Sequence, residues 1–354
     1  MKKLFLAGVF AGAMAIGAGA SFAAGPILWF EPLQFAVLPE DLRYPEGITA
    51  NPATGDIFVG TFDFGPNTNA LLRFDREGRL TARKDFGAAP LLGLGFEQGK
   101  VYILNMGASK VQRIAANFDA NTPVEDVADV PKVGPPGDRS VANPDGSNDV
   151  IKFGSNSFAA PNAMAFDPYG NMYFSDSFQG ALYKIPSVAA CTPPCAVLTL
   201  VHDPLLATAG FPPFGANGLA ISADVTTMYI ANTGDNRVLK MDMTNGHLSV
   251  FAESVHGADG LVFDSDGHLW AAANQGDELV RLDIRGRPQG KVGSFRGVRD
   301  NGTPRGLLFP ASMVILDGVM YITNLALPLT PAVGDEPEED VTRWNIVRMR
   351  VTRH

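Results

Sequence analysis

Along most of this chain apolar and polar residues alternate with a period of two, in runs of five to eight residues closed by Gly, Asp or Asn. That is the pattern of strands with one face buried, joined by tight hairpins. The runs also recur as a phrase. It reads "PEGITANPATGDIFVGTFD" from Pro45, "LLGLGFEQGKVYILNMG" from Leu91 and "PNAMAFDPYGNMYFSDS" from Pro161. It returns as "ANGLAISADVTTMYIANTG" from Ala216, "ADGLVFDSDGHLWAAANQG" from Ala258 and "ASMVILDGVMYITNLAL" from Ala311. Most copies continue into a third run, such as "ALYKIPS", "RVLKMDM" or "ELVRLDI". The turns "DPYGN", "DSDGH" and "LDGV" have the residues that tight hairpins require. One such unit cannot bury both its faces, whereas units stacked around an axis can. The repeats start roughly 40 to 70 residues apart, a propeller period with insertions. The pattern therefore predicts an all-β chain folded as a six-bladed β-propeller with four strands per blade. A β-sandwich is the structural alternative, but its strands need not repeat one phrase.

The breaks in the pattern divide the chain further. Residues 1–23 read as a signal peptide: Lys2 and Lys3, an apolar stretch from Leu4 to Ala20, then Ser21-Phe22-Ala23 as a cleavage site. Residues 24–354 form one propeller domain, with long inter-blade insertions at about 117–160 and 187–214. The first insertion is rich in Pro, Gly, Asn and Asp, the composition of a loop that covers a site or decorates a surface. The formal charge is −9, and −11 without Lys2 and Lys3. An acidic exported chain argues against nucleic acid and against a membrane once the signal is removed. The expected location is the periplasm or the exterior, as a monomer, since a propeller closes on itself. Cys191 and Cys195 flank Thr-Pro-Pro and are expected to form a local disulfide there. The run Asp335 to Asp340 reads as a solvated acidic loop.

One repeat position carries candidate chemistry. The residue before the Gly/Ala–hydrophobic step is Glu46, Leu92, Asn162, Asn217, Asp259 and Ser312. Equivalent positions lie on equivalent strands, so if one points at the axis, all do. Glu46, Asn162, Asn217 and Asp259 then converge as oxygen donors. Two crowded carboxylates without a cation would raise each other's pKa. A hard divalent cation removes that cost, and calcium suits carboxylate and amide oxygens better than magnesium does. Zinc would call for His or Cys, which the position lacks. Singly, each residue could equally cap a turn. A second periodic set, Asn105, Asp176, Asn232 and Asn324, closes the following strand and reads as binding turn backbone.

At these residues the chain resembles the SMP-30/gluconolactonase family, which stands with paraoxonases and squid-type diisopropylfluorophosphatases among six-bladed calcium-dependent hydrolases. The resemblance lies in "YPEGITA", "APNAMAFDPYGNMYFSD", "GANGLAIS" and "GADGLVFDSDGHLW". It implies a calcium ion deep in the channel, held by Glu46, Asn217 and Asp259. Asn162 would be either a further ligand or a substrate contact. It also implies hydrolysis of a lactone or related ester, with Asp259 as general base or nucleophile. One departure matters. The sugar lactonases of this family carry an Arg two residues before the third-blade Asn, and Ala160 stands there, which favours an apolar substrate. His256, three residues before Asp259, is a candidate proton shuttle.

The expected function is that of an exported calcium-dependent lactonase or esterase acting on a small-molecule ester or lactone. The alternative is a non-catalytic NHL-like propeller that binds a ligand or protein and keeps a structural metal. No nucleophile elbow, zinc-protease helix or phosphate-binding loop stands in the sequence.

Overall fold

The computed structural model describes residues 32–153 and 159–351. The segment read as a signal peptide lies outside these residues, as does His354. The described chain builds six four-stranded antiparallel sheets and two small hairpins, with no α-helix among the described residues. Blade 1 comprises Pro45–Ala50, Ile57–Thr61, Asn69–Phe74 and Leu80–Gly87. Blade 2 comprises Leu91–Glu97, Lys100–Asn105, Lys110–Ala115 and Glu125–Asp129. Blade 3 runs through Pro161–Phe166, Met172–Asp176, Ala181–Ile185 and Leu198–His202. Blade 4 runs through Ala216–Ile221, Thr227–Asn232, Arg237–Asp242 and Leu248–Glu253. Blade 5 has Ala258–Phe263, Leu269–Ala273, Glu278–Leu282 and Pro288–Val292.

Blade 6 is assembled from both ends of the chain. Pro310–Leu316, Val319–Asn324 and Asn345–Arg350 supply three strands, and Leu33–Val37 adds the outermost one. The first strand of each blade touches that of the next, and blade 6 touches blade 1, so the six inner strands form a closed ring. This is the six-bladed β-propeller that the repeat pattern predicts.

The core lies between blades. Phe35 on the outermost strand of blade 6 packs its ring against Tyr321 at 4.8 Å and Phe74 of blade 1 at 6.4 Å. Phe58, Phe96 and Phe118 fill the space between blades 1 and 2. Alternation along each strand sends successive side chains to opposite neighbours, which is why buried runs such as "IFVGT" are apolar on both faces.

The turns joining first to second strands hold buried carboxylates. Asp167 accepts from the amides of Tyr169 and Asn171 and from the Tyr173 hydroxyl. Asp264 repeats this with the amides of Asp266 and His268 and the indole N–H of Trp270. The aromatic residue six positions on thus locks each turn.

Each long stretch includes the outer strand of a blade and so has connecting segments at both ends of it. The stretch 117–160 contains the outer strand of blade 2 and a hairpin, Arg139–Ala142 with Asn148–Ile151. Gln179 holds its base through the amides of Val133 and Gly134 and the carbonyl of Pro131. The stretch 187–214 contains the outer strand of blade 3. Cys191 and Cys195 are joined by a disulfide there, and the Cys195 amide donates to Val127 of blade 2 at 2.8 Å.

Candidate metal centre

Every inner strand carries the same irregularity. Its first residue pairs with the end of the second strand, two residues are skipped, and pairing resumes. Pro45 faces Thr61 and Ile48 faces Val59; Ala216 faces Asn232 and Leu219 faces Ile230. A bulge re-aims the side chain it displaces. The first skipped residue in blades 1 to 6 is Glu46, Leu92, Asn162, Asn217, Asp259 and Ala311. Ser312 is therefore corrected to Ala311 in the sixth blade. There Pro310 faces Asn324 and Met313 faces Ile322, so Ser312 is the second skipped residue.

Glu46, Leu92, Asn162, Asn217 and Asp259, far apart in sequence, line one cavity of about 40 Å³, and all five are buried. That is room for an ion or a few waters, since one water needs roughly 10–15 Å³. A second ring lies beside the first, made by the residue that follows each second strand: Phe62, Met106, Ser177, Thr233, Asn274 and Leu325. It is polar in blades 3 to 5 and apolar in the others. Asn162 Nδ2 donates to Ser177 Oγ at 2.8 Å, and Asn217 Nδ2 to Thr233 Oγ1 at 2.9 Å. Asn274 Nδ2 donates to Asp259 Oδ2 at 3.1 Å.

Four residues lining this cavity have a buried oxygen without a hydrogen-bond partner: Glu46 Oε2, Asn162 Oδ1, Asp259 Oδ1 and Asn274 Oδ1. Buried polar atoms are nearly always paired, so four orphans around one small cavity call for a physical cause. The electrostatics point the same way. Burial, and after it the charge of Asp259, pushes the Glu46 carboxyl well above the usual carboxylate range. Burial pushes Asp259 up to about 7, against the lowering effect of bonds from Asn274 and Asn217. Among the described residues, no Lys, Arg or His lines the cavity. An all-oxygen donor set with two carboxyls and no basic neighbour fits a hard divalent cation, and its lack of His and Cys does not fit zinc.

Above the donors the wall is apolar. Pro212, Phe214, Phe309, Leu325, Leu327 and Leu329 line the cavity with Phe62. A file of rings runs outward: Phe178 to Phe214 at 5.3 Å, Phe214 to Phe62 at 6.1 Å, and Phe62 to the exposed Phe64 at 4.6 Å. Ala160 is fully buried in this apolar cluster. In the acidic run, Glu336 accepts from the amides of Leu329 and Thr330 and so fixes part of the mouth. Its neighbour Glu338 is buried rather than solvated.

Other sequence candidates lie elsewhere. His256 is exposed on the turn leading to Asp259 and is not among the lining residues. His202 bonds the Gly134 carbonyl, and His268 lies beside Asp264 and Arg281. Asn105, Asp176, Asn232 and Asn324 bind loop backbone: Asn232 reaches the carbonyls of Leu205 and Ala207, and Asn324 that of Gly306. Asn274 had no sequence signal of its own. It comes one position after that second set, in a repeat where Ala273 holds the place of the Asn or Asp.

Known proteins share this architecture. Residues 206–293, which include Asn217 and Asp259, match the family model described as the SMP-30/Gluconolactonase/LRE-like region. A curated protein, Lactonase drp35 of Staphylococcus saprophyticus, is 24% identical over 175 residues, 45% of this chain and 49% of its own. The chain thus spans about half the length of that curated relative. Among solved structures, a luciferin-regenerating enzyme is 16% identical with a TM-score of 0.61, over 91% of this chain and 95% of that one. Regucalcin from Agrobacterium tumefaciens, described as a calcium-binding protein, is 15% identical with a TM-score of 0.59, over 92% and 96%. At such identities the structural likeness speaks to the fold alone. The matched region, the relative and the ring of six blades agree: the chain is a six-bladed propeller with a segment similar to the SMP-30/Gluconolactonase/LRE-like region.

Proposed function

We propose that the protein is an exported, calcium-dependent hydrolase of the lactonase or esterase type, acting in the central channel on a small ester or lactone with an apolar body. The observation that carries this reading is the convergence of the orphaned oxygens of Glu46, Asn162 and Asp259 on one cavity. Glu46, Asn162, Asn217 and Asp259 hold the ion. When bound, calcium polarises an ester carbonyl and offsets charge that develops on its oxygen. Asp259 is the catalytic group. Its Oδ2 is bonded by Asn274, so Oδ1 is the oxygen left for chemistry. It either takes the proton of the attacking water or attacks the carbonyl carbon itself. His256, at the surface before Asp259, is the candidate to pass a proton on to solvent. Phe62, Phe214, Phe309 and the three leucines take up the apolar part of the substrate and exclude water. The signal-like residues 1–23 and the Cys191–Cys195 disulfide support export to an oxidising compartment.

One observation favours a second reading, a ligand-binding propeller with a structural ion. The cavity is small, and among the described residues no imidazole or ammonium group lines it to act as an acid. A panel of lactones and aryl esters, assayed with and without EGTA, separates the two. The hydrolase reading expects turnover that EGTA abolishes and that Asp259→Asn lowers at least about a hundredfold. Full turnover by Asp259→Asn would remove Asp259 from its role. Calcium binding without turnover on any substrate would favour the binding reading.

A further inference from the structure

The two asparagines at the cavity are each held by a hydroxyl whose own proton is already committed. Ser177 Oγ donates to the carbonyl of Ala216 at 2.7 Å, and Thr233 Oγ1 donates to the carbonyl of Ala258 at 2.7 Å. A hydroxyl has one proton, so each of these oxygens can only accept from the asparagine it faces. The group turned to it must then be the amide nitrogen, as the 2.8 and 2.9 Å contacts from Asn162 and Asn217 have it. The committed hydroxyl protons thus fix which end of each amide is which without reference to any ligand, the point on which amide assignments ordinarily turn. It sends the Asn162 oxygen into the cavity, where it has no protein partner.

The carbonyls that receive these protons are not incidental. Ala216 immediately precedes Asn217, and Ala258 immediately precedes Asp259. Each hydroxyl therefore orients one donor through its amide and anchors the strand that carries the next donor. Asn274 ends the series on Asp259 Oδ2. We infer that Ser177 and Thr233 are positioning residues that set Asn162 and Asn217 with oxygen toward the ion and tie the donors of blades 3, 4 and 5 into one unit. This rests on the calcium reading above for its effect on affinity, though not for the amide orientation itself.

The test uses the full chain stripped of metal, with calcium binding measured by titration calorimetry. Thr233→Val keeps the shape and removes the hydroxyl. It is expected to weaken calcium binding about tenfold or more, while Thr233→Ser stays within about twofold of the parent. In an Asn217→Ala background Thr233→Val is expected to cost clearly less, because the part that acts through that amide is gone and only the tie to Ala258 remains. Parent-like affinity in Thr233→Val, or the same loss with and without Asn217, would overturn the inference. Should Thr233→Val not fold, Ser177→Ala with Asn162→Ala makes the same cycle one blade earlier. If the parent itself binds no calcium, the calcium reading fails, and the orientation is decided separately. NMR of the metal-free protein is expected to place the Asn217 side-chain NH2 protons beside the Thr233 β-proton. Their absence from that position would refute the assignment.

Discussion

Glu46 and Asp259 meet in a cavity with no basic residue in its lining among the described residues, and that sets how the metal-free protein responds to pH. Burial raises both carboxyls, Asp259 to about 7. In the unfolded chain an Asp titrates near 3.9. Between about pH 4 and 7 the folded state therefore holds more protons than the unfolded state, and stability falls as pH rises through that window. A bound cation reverses the preference by favouring the charged carboxylates, and protons compete with it. In EGTA the melting temperature is thus expected to drop between pH 5 and pH 8, while the gain from saturating calcium grows over the same range. Scanning fluorimetry at four pH values, with and without calcium, checks both slopes. A metal-free protein that becomes more stable toward pH 8 would show that these two acids do not dominate. Glu46→Gln separates charge from shape. It is expected to lower calcium affinity at least about tenfold, ~1.4 kcal/mol. It should also leave the metal-free protein no less stable at pH 8, since it removes a charge buried without a cation.

The unit that repeats is the bulged inner strand, and its second skipped position explains the glycines of the repeat. A Cβ on Gly47 would lie 2.1 Å from the carbonyl oxygen of Leu92, and one on Gly218 would lie 2.1 Å from that of Asp259. The next blade's residue at the first skipped position presses its backbone into the place where a side chain would be. Gly218→Ala is therefore expected to displace Asp259 as well as destabilise the fold, by about 1–3 kcal/mol as an overpacked contact does. Calcium affinity should fall with the melting temperature, and a variant that melts early yet binds calcium normally would break that link. The same detail shows what was legible beforehand. The six phrases stand out because each blade needs the same hairpins and the same bulge. Glu46, Asn162, Asn217 and Asp259 could be aligned because a Gly or Ala marks the next position. In blade 6 that marker is Ser312, preceded by Ala311, so the Gly/Ala step slid by one and only strand pairing restores it. Asn274 stayed hidden because side chains of the second ring follow no rule of backbone geometry. Phe, Met, Ser, Thr, Asn and Leu all occupy it, and the polar ones bond the donor of their own blade.

A ring of sheets has one place where chain continuity does not hold it together, and here that place adjoins the site. Blade 6 is closed by Leu33–Val37, whose backbone pairs, among the described residues, with Asn345–Arg350 alone. Its side-chain anchor is Phe35, buried against Tyr321 and, across the blade boundary, Phe74. Leu33, on the same strand, is 62% exposed. At the inner edge of the same junction Thr323 Oγ1 donates to the main-chain carbonyl of Glu46 at 2.9 Å. The outer strand, the blade 6–blade 1 core and the placement of Glu46 are thus parts of one seam. Removing the Phe35 ring leaves a cavity between blades and is expected to cost about 3–5 kcal/mol, whereas Leu33→Ala should change stability by less than about 0.5 kcal/mol. The seam makes a further demand. On the proposed reading, calcium needs Glu46 together with the donors of blades 3 to 5, so it would favour the closed ring over any opened form. Phe35→Ala should therefore gain at least as much melting temperature from calcium as the parent does. In hydrogen exchange, the amides of Leu33–Val37 and Asn345–Arg350 should be slowed together by the ion. If calcium protects blades 3 to 5 but leaves these two strands exchanging as before, the seam opens independently of the site, and closure of the ring is not what the ion stabilises.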